Sequence, residues 1–376
     1  MKYFIGLDVS MKDTNACIVN ELGKIIQEGV MTTDPQSIKH YIDQSRLPIE
    51  KIALESGCLS TWLAKSLIKE GLPVVCIDAR HVSTFLKLKI NKTDKNDARG
   101  IAEALRCNIV KEIHLESNNS VEKSSLVGTR EYFSSQKTCV TNTIRGLFKA
   151  YGIRLVGSAT TASNKATASF LAHAEKEAQN LNDIAKFSLL ELISCARTLH
   201  EKVKEFDKKI AEITKDDSEV QLLKTAPGVG NLTALIYTMI IDDPSRFKKS
   251  RLVGAYLGMT PKEYSSGEIS YKGRISKCGP GSLRRLLRQS GSFILTRSKK
   301  NSKLKIWGLK LKKKIGRQKA SLAVGRKLAT IMHKMLLTGK EFEFEEEKEL
   351  ESEIRKLNKK SAKIKQLVKR KTKKVV

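Results

Sequence analysis

Alternation of apolar and polar positions marks the start of the chain as β structure. Tyr3–Val9, Thr14–Asn20 and Ile25–Met31 are short apolar-rich runs parted by polar turns, with Asn20–Gly23 read as a hairpin turn. Connections this short predict antiparallel pairing. A helical stretch from Pro35, a short strand over Lys51–Leu54, a helix over Thr61–Glu70 and a buried strand over Pro73–Ile77 follow. Over Asp94–Arg106 the period lengthens, with Ala98, Ile101, Ala102 and Leu105 on one helical face. Asp94 and Asp97, three residues apart, then share one side of that helix's first turn.

From about Val121 to Asp217 the pattern is helical throughout. Leu189, Leu192, Ala196, Leu199, Val203, Phe206, Ile210 and Ile213 recur in steps of three and four, the seam of a coiled coil. The same seam fits a long helix packed on an earlier helix of this chain, such as Val121–Tyr151, and a hairpin that also dimerises satisfies both readings. Gly157–Ala168, small and polar, reads as a loop at the hairpin's tip.

The third segment opens with LLKTAPGVGNLTALIYTMI. Pro227-Gly228-Val229-Gly230 lies between two helical patterns, as in a helix-hairpin-helix, where Gly228, Gly230 and the next helix's free amides can meet a phosphate. A tight turn with no ligand fits the same residues. Farther on, Tyr264-Ser265-Ser266-Gly267 reads as a flexible turn, followed by Arg274, Lys277, Arg284 and Arg285. A serine beside cations is placed to hydrogen-bond a phosphate or to attack one, and the residues alone favour the first role.

Charge narrows the possible partners. The 376 residues carry a formal net charge of +30, with 40% hydrophobic and only 6% aromatic residues. Such a chain suits a polyanion held mainly through its phosphates. The length has room for two or three domains. No apolar run is long enough to span a bilayer and the N-terminus lacks a signal-peptide pattern, so a soluble, cytoplasmic location is expected. Seven scattered cysteines without a C-x-x-C pair read as reduced thiols.

Against that charge, four carboxylates stand out: Asp8 in YFIGLDVS, Glu55 in KIALESG, and Asp94 and Asp97 in KTDKNDA. Acids gathered in one site repel one another unless a cation neutralises them, and magnesium ions serve phosphodiester chemistry in this way. Taken singly, Asp8 also fits a turn cap, Glu55 a strand-end charge and Asp94 a helix N-cap.

The element order resembles the ribonuclease H or RuvC-like nuclease fold, in which acids end the first and fourth strands and occupy a later helix. The first motif also resembles the phosphate-binding hairpin of the sugar kinase and actin ATPase superfamily, but no later Gly-rich adenosine motif completes it. With GLDVS, LESG and KTDKNDA followed by LKTAPGVG, YLGMTP, YSSG, G-x-I-S-K-x-G and SLRR, the chain resembles the insertion-sequence one-ten family of DEDD transposases, which includes the Piv-like invertases. The match runs in order over roughly residues 3–110 and 220–340.

That resemblance implies a RuvC-like α/β catalytic domain over 1–118, and the heptad seam makes 119–217 a helical coiled-coil region. The resemblance implies a mainly α-helical transposase domain with a helix-hairpin-helix-like motif over 218–340, leaving a charged tail over 341–376. Asp8, Glu55, Asp94 and Asp97 would hold Mg2+, with Mn2+ as a substitute. Ser266 would be the nucleophile that forms a phosphoserine link to DNA, with Ser265 the alternative. A structured bridge RNA would pair with donor and target DNA, and the protein would act as a dimer and, in synapsis, a tetramer, associated with the nucleoid when bound to DNA. A RuvC-like junction endonuclease using water and a noncatalytic nucleic-acid binder are the other readings. The acidic patch Glu341–Glu353 and the basic stretch beyond it read as a solvated or nucleic-acid-binding tail.

Overall fold

The computed structural model describes residues 1–80, 83, 93–157 and 164–344. These fall into two compact units, residues 1–117 and residues 118 onward, each taken by itself below.

The first unit is a five-stranded sheet. β1 (Tyr3–Val9), β2 (Asp13–Asn20), β3 (Ile25–Thr32), β4 (Ile49–Glu55) and β5 (Val74–Ile77) lie in the order β3-β2-β1-β4-β5. β1, β2 and β3 pair antiparallel, as their short connections require, while β4 and β5 run parallel to β1.

Alternation along the strands assigns a layer to each face. Ile5, Leu7, Ile18, Ile52, Leu54 and Cys76 pack against Ile38 and Ile42 of α1 (Pro35–Gln44) and Leu63, Ala64 and Leu67 of α2 (Ser60–Lys69). Asp34 caps α1 by accepting from the Ser37 amide, and Pro35 occupies the first turn, where a missing N–H costs nothing. The opposite face carries Phe4, Cys17, Val19, Ala53 and Ile77, covered by Ala98, Ile101, Ala102 and Leu105 of α3 (Asp94–Arg106).

The second unit is mainly helical. Its long helices are α4 (Asn118–Ala150) and α6 (Asp183–Ile213), with α5 (Asn164–Ala178) against them. Thus Asn164–Ala168 is helix rather than loop, and the rest of the expected tip loop, 158–163, lies outside the described residues.

The seam of α6 faces this chain's own helices, and it is wider than a coiled-coil stripe. Leu189, Ala196, Val203 and Ile210 are buried as expected. The intervening buried positions are Ile193 and His200 rather than Leu192 and Leu199, because α4 and α5 both flank α6 and an i, i+4 face suits two neighbours. Neither His200 ring nitrogen has a hydrogen-bond partner among the described residues, and burial holds its pKa below the ordinary histidine value.

A second core gathers α7 (Ser218–Lys224), α8 (Asn231–Ile241), α9 (Leu252–Tyr256), α10 (Gly281–Thr296), α11 (Lys303–Ile315) and α12 (Arg317–Thr338). α8 is apolar nearly all round and sits at its centre, with Tyr237 donating to the Ala329 carbonyl at 2.5 Å. Beyond α12 the chain stays packed for a few residues: Phe342 is buried, and its amide donates to Thr225 Oγ1 at 3.0 Å. The remainder of the expected tail, 345–376, lies outside the described residues. No helix among the described residues is long and apolar enough to cross a membrane.

Candidate active site

Four of the sequence's acids are delivered by the sheet register and one helix crossing. The pairing Leu7↔Leu54 makes Asp8 and Glu55 the next residues along two adjacent parallel strands. Asp8 alternates onto the face of Phe4 and Gly6, and Glu55 onto the face of Ala53, so both share the side covered by α3.

The position of α3 follows from Gly6. A Cβ there would lie 2.2 Å from the Ala98 oxygen and 2.3 Å from the Ala102 nitrogen, so only glycine admits this backbone approach. At the other end of the helix, Arg106 donates to the Glu21 carbonyl at 3.0 Å, beside the start of β1, where Tyr3 pairs with Asn20. The helix therefore runs against β1. Two residues of strand from Gly6 to Asp8 advance about 7 Å, and four of helix from Ala98 back to Asp94 about 6 Å. The first turn of α3 thus lies at the same end of the same face as Asp8 and Glu55.

Asp94 is not the N-cap. Thr93 holds that position and accepts from the Asn96 amide at 3.2 Å, which leaves Asp94, exposed, and Asp97, half-buried, projecting from the first turn. Negative charge there is favoured by the helix dipole. The turn is held to the sheet through Glu28 of β3, which pairs with Arg99 and, at 3.0 Å, with Lys95. Hydrogen bonding from Arg99 lowers the Glu28 pKa from 4.5 to about 2.

Oxygen donors of this kind suit a hard divalent cation. The acids fit such an ion in their donor chemistry. Among the described residues, however, no three His, Cys, Asp or Glu side chains stand close enough to enclose one. The four share an end of the sheet without closing on a point.

Ser265 and Ser266 stand on strand rather than on a flexible turn. β6 (Pro261–Ser266) and β7 (Ile269–Ile275) form a two-stranded ribbon, with Ser266 opposite Ile269 and a two-residue Gly267-Glu268 turn at the tip. Gly267 has φ +56°, as the first position of such a turn requires. The ribbon is exposed along almost all its length, and Tyr264 stacks on Tyr271 with ring centroids 4.9 Å apart. Its sequence signal is a Gly-X pair between two runs with aromatic and β-branched residues, a hairpin pattern that the reading as a turn overlooked.

Backbone packing clamps the base of the ribbon. A Cβ on Gly258 would lie 2.2 Å from the Cys278 oxygen, and one on Gly279 2.2 Å from the Tyr256 oxygen. The Ser276 amide donates to the Thr260 carbonyl at 2.9 Å and the Lys277 amide to Gly258 at 3.1 Å. The glycines of YLGMTP and SKCGPG therefore hold two loops in direct contact.

The residues expected to meet phosphate divide. Arg274 and Lys277 are exposed near the ribbon, with Lys277 at φ +58°. Arg284 instead donates to the Leu257 carbonyl at 2.9 Å, and Arg285 pairs with Glu131 of α4 at 2.7 Å. Gly228, at φ +77°, turns the chain from α7 to α8 and its carbonyl accepts from Ser290 at 2.7 Å. Gly230 is exposed and begins α8 without a side-chain cap.

Two family models match separate stretches of the chain. Residues 5–153 match the DEDD family model of IS110, described as a transposase, and residues 220–305 match the model described as transposase IS116/IS110/IS902 family. The chain is similar to the transposase for insertion sequence element IS1111A of Coxiella burnetii, 25% identical, covering 88% of this chain and 89% of that one. It is also similar to the IS1328 transposase of Yersinia enterocolitica, 27% identical, covering 65% and 71%. A Thermus thermophilus RuvC solved with a Holliday junction substrate covers 30% of this chain and 100% of its own, at 15% identity and a TM-score of 0.24, too low to carry an argument.

Proposed function

We propose that this chain, which belongs to the IS116/IS110/IS902 family of transposases, breaks and rejoins DNA with two groups of residues: the carboxylates Asp8, Glu55, Asp94 and Asp97, and the ribbon serine Ser266. The observation that supports this reading is that the four acids share one face and one end of the sheet.

Those four would hold Mg2+, or Mn2+ in its place. Such an ion, when bound, would stabilise charge on the phosphate under attack. Ser266 Oγ forms a bond to phosphorus while the bond to one deoxyribose oxygen breaks, and that oxygen leaves as a hydroxyl after taking a proton. The phosphoserine ester keeps the phosphodiester's energy, so an incoming hydroxyl of another strand reverses the step and releases the serine. An exposed tip suits this role, since the nucleophile must reach a backbone phosphate of a bulky duplex. Ser265 points to the opposite side of the ribbon from Ser266, because successive strand residues alternate. Only one of the two can then face the scissile phosphate.

Partners follow from the same reading. The net charge of +30 supports binding of donor and target DNA junctions together with a structured bridge RNA. Base pairing by that RNA would choose the sites, as in other RNA-guided systems. A dimer, and a tetramer in synapsis, would bring two junctions together.

The test is a denaturant-resistant adduct between the purified chain and labelled junction DNA in Mg2+, with and without the RNA. The adduct should disappear in Ser266→Ala and persist in Ser265→Ala, and Asp8→Asn should abolish strand cleavage. Removing a nucleophile that acts in concert with its site should cost on the order of 10^4-fold or more. Cleavage without adduct would make the chain a hydrolase and remove Ser266 from the chemistry.

A further inference from the structure

Beside the base of the ribbon lies a cavity of about 420 Å3 for which the strand-transfer chemistry has no use. Arg251, Arg326 and Lys327 line it, with Trp307, Thr260 and Thr330. Its volume lies within the range of small-ligand sites.

Three observations say what it takes. None of the three cations forms an ion pair with an acid among the described residues, whereas Arg285 does. Like charges facing one concavity repel, and a bound anion offsets that repulsion. Next, the stem of Arg326 runs across Gly254, where a Cβ would lie 2.9 Å from Arg326 Cγ. The glycine leaves a lane for the guanidinium to reach the cavity. Last, Trp307 is half-buried and forms an aromatic wall, with Lys327 Nζ 4.5 Å from its ring centroid. Cations beside an indole are the pair that single-stranded nucleic acid needs, charge for the phosphate and a ring for the base.

We propose that this cavity captures one nucleotide of an unpaired strand, with its phosphate among Arg251, Arg326 and Lys327 and its base against Trp307. The inference rests on the reading of the chain as a nucleic-acid enzyme and adds to it a means of setting the strand's register. Thr260 immediately precedes β6, and the six residues from there to Ser266 span roughly 20 Å when extended. A nucleotide held at the ribbon's base would fix which phosphate of a strand arrives at its tip, without itself reacting.

Trp62 and Trp307 are the chain's two tryptophans, and Trp62 is exposed. In the full chain carrying Trp62→Phe, emission therefore reports Trp307 alone. Labelled hexathymidylate and hexauridylate would be titrated while strand anisotropy and tryptophan emission are both followed. Saturable quenching of Trp307 is expected, and the preferred sugar identifies DNA or RNA as the source of the strand. Arg251→Gln with Arg326→Gln should weaken binding at least tenfold and flatten the salt slope by about 0.7 for each phosphate that is no longer neutralised. Thermal unfolding of the double variant serves as the check on folding.

Unchanged emission with normal strand binding would overturn the pocket and leave the recombinase reading intact. Equal quenching by inorganic phosphate would overturn the base stacking. No strand binding at all in anisotropy would also overturn the pocket, while the adduct test with junction DNA decides the recombinase reading separately. If the double variant melts early, Lys327→Gln alone must still lower the salt slope, and an unchanged slope there would also overturn the proposal.

Discussion

Asp8 and Ser266 each sit near the end of a β-strand, yet the two strands live in different surroundings. β1 lies in the middle of a five-stranded sheet with helices on both faces, and Gly6 locks α3 against it at backbone distance. β6 belongs to a two-stranded ribbon exposed almost throughout and held at its base by the loops around Gly258 and Gly279. Groups that must hold a shared ion need a rigid scaffold, since small displacements cost catalysis steeply. A nucleophile that must meet a large substrate gains from reach. Under the proposed function, the contrast puts the charge-holding groups and the attacking group of one protein under opposite mechanical rules.

Replacing Gly6 is the strongest way to break this comparison. Gly6→Ala drives a methyl into the backbone of Ala98 and Ala102, and should destabilise the first unit by about 3 kcal/mol or more, read by denaturant unfolding. Gly279→Ala, with an equally close clash on Tyr256, should loosen the ribbon's base by about 1–3 kcal/mol while the first unit melts as before. Equal melting behaviour in the two variants would erase the distinction between scaffold and ribbon.

A smaller effect tests the tether on α3. The Glu28 pKa is about 2 when folded against an ordinary 4.5, so its pairing with Arg99 contributes stability fully above pH 4.5, lost as pH falls through about 2. Glu28→Gln should therefore cost about 1–2 kcal/mol near neutrality and almost nothing near pH 2, checked by urea titrations across that window. The smallest effect belongs to the ribbon tip. Gly267→Ala meets no neighbouring atom, so its cost is the backbone strain of a positive φ, about 1 kcal/mol, and adduct formation should slow only severalfold. Gly267→Asn should recover most of that loss.

The sheet was legible because its strands alternate or run apolar, and because α3 has a clear face at Ala98, Ile101, Ala102 and Leu105. The strand-end and helix-start positions of the four acids were legible for the same reason, since both can be placed from periodicity. What the pattern concealed was mostly pairing. The ribbon has no buried face, so β6 and β7 carry no alternation to betray them, and only the Gly-Glu turn signals a hairpin. Leu192 and Leu199 were chosen over Ile193 and His200 because a heptad assumes one partner helix, whereas α6 has two. Arg284 reads as a free cation in sequence, and only the loop geometry shows it spent on the Leu257 carbonyl. Cavities made by residues as distant as Arg251 and Lys327 leave no linear trace.

The close crossing at Gly6 also has a genetic meaning. The atoms that exclude a side chain there are the carbonyl oxygen of Ala98 and the amide nitrogen of Ala102, which every amino acid carries. No codon change at either position can make room, so a selection for revertants of Gly6→Ala should return glycine alone. Gly254 is the counterexample, because its obstacle is the Arg326 side chain, and a shorter residue at 326 can suppress the lesion. One glycine is thus a dead end for compensatory evolution while the other remains open to it.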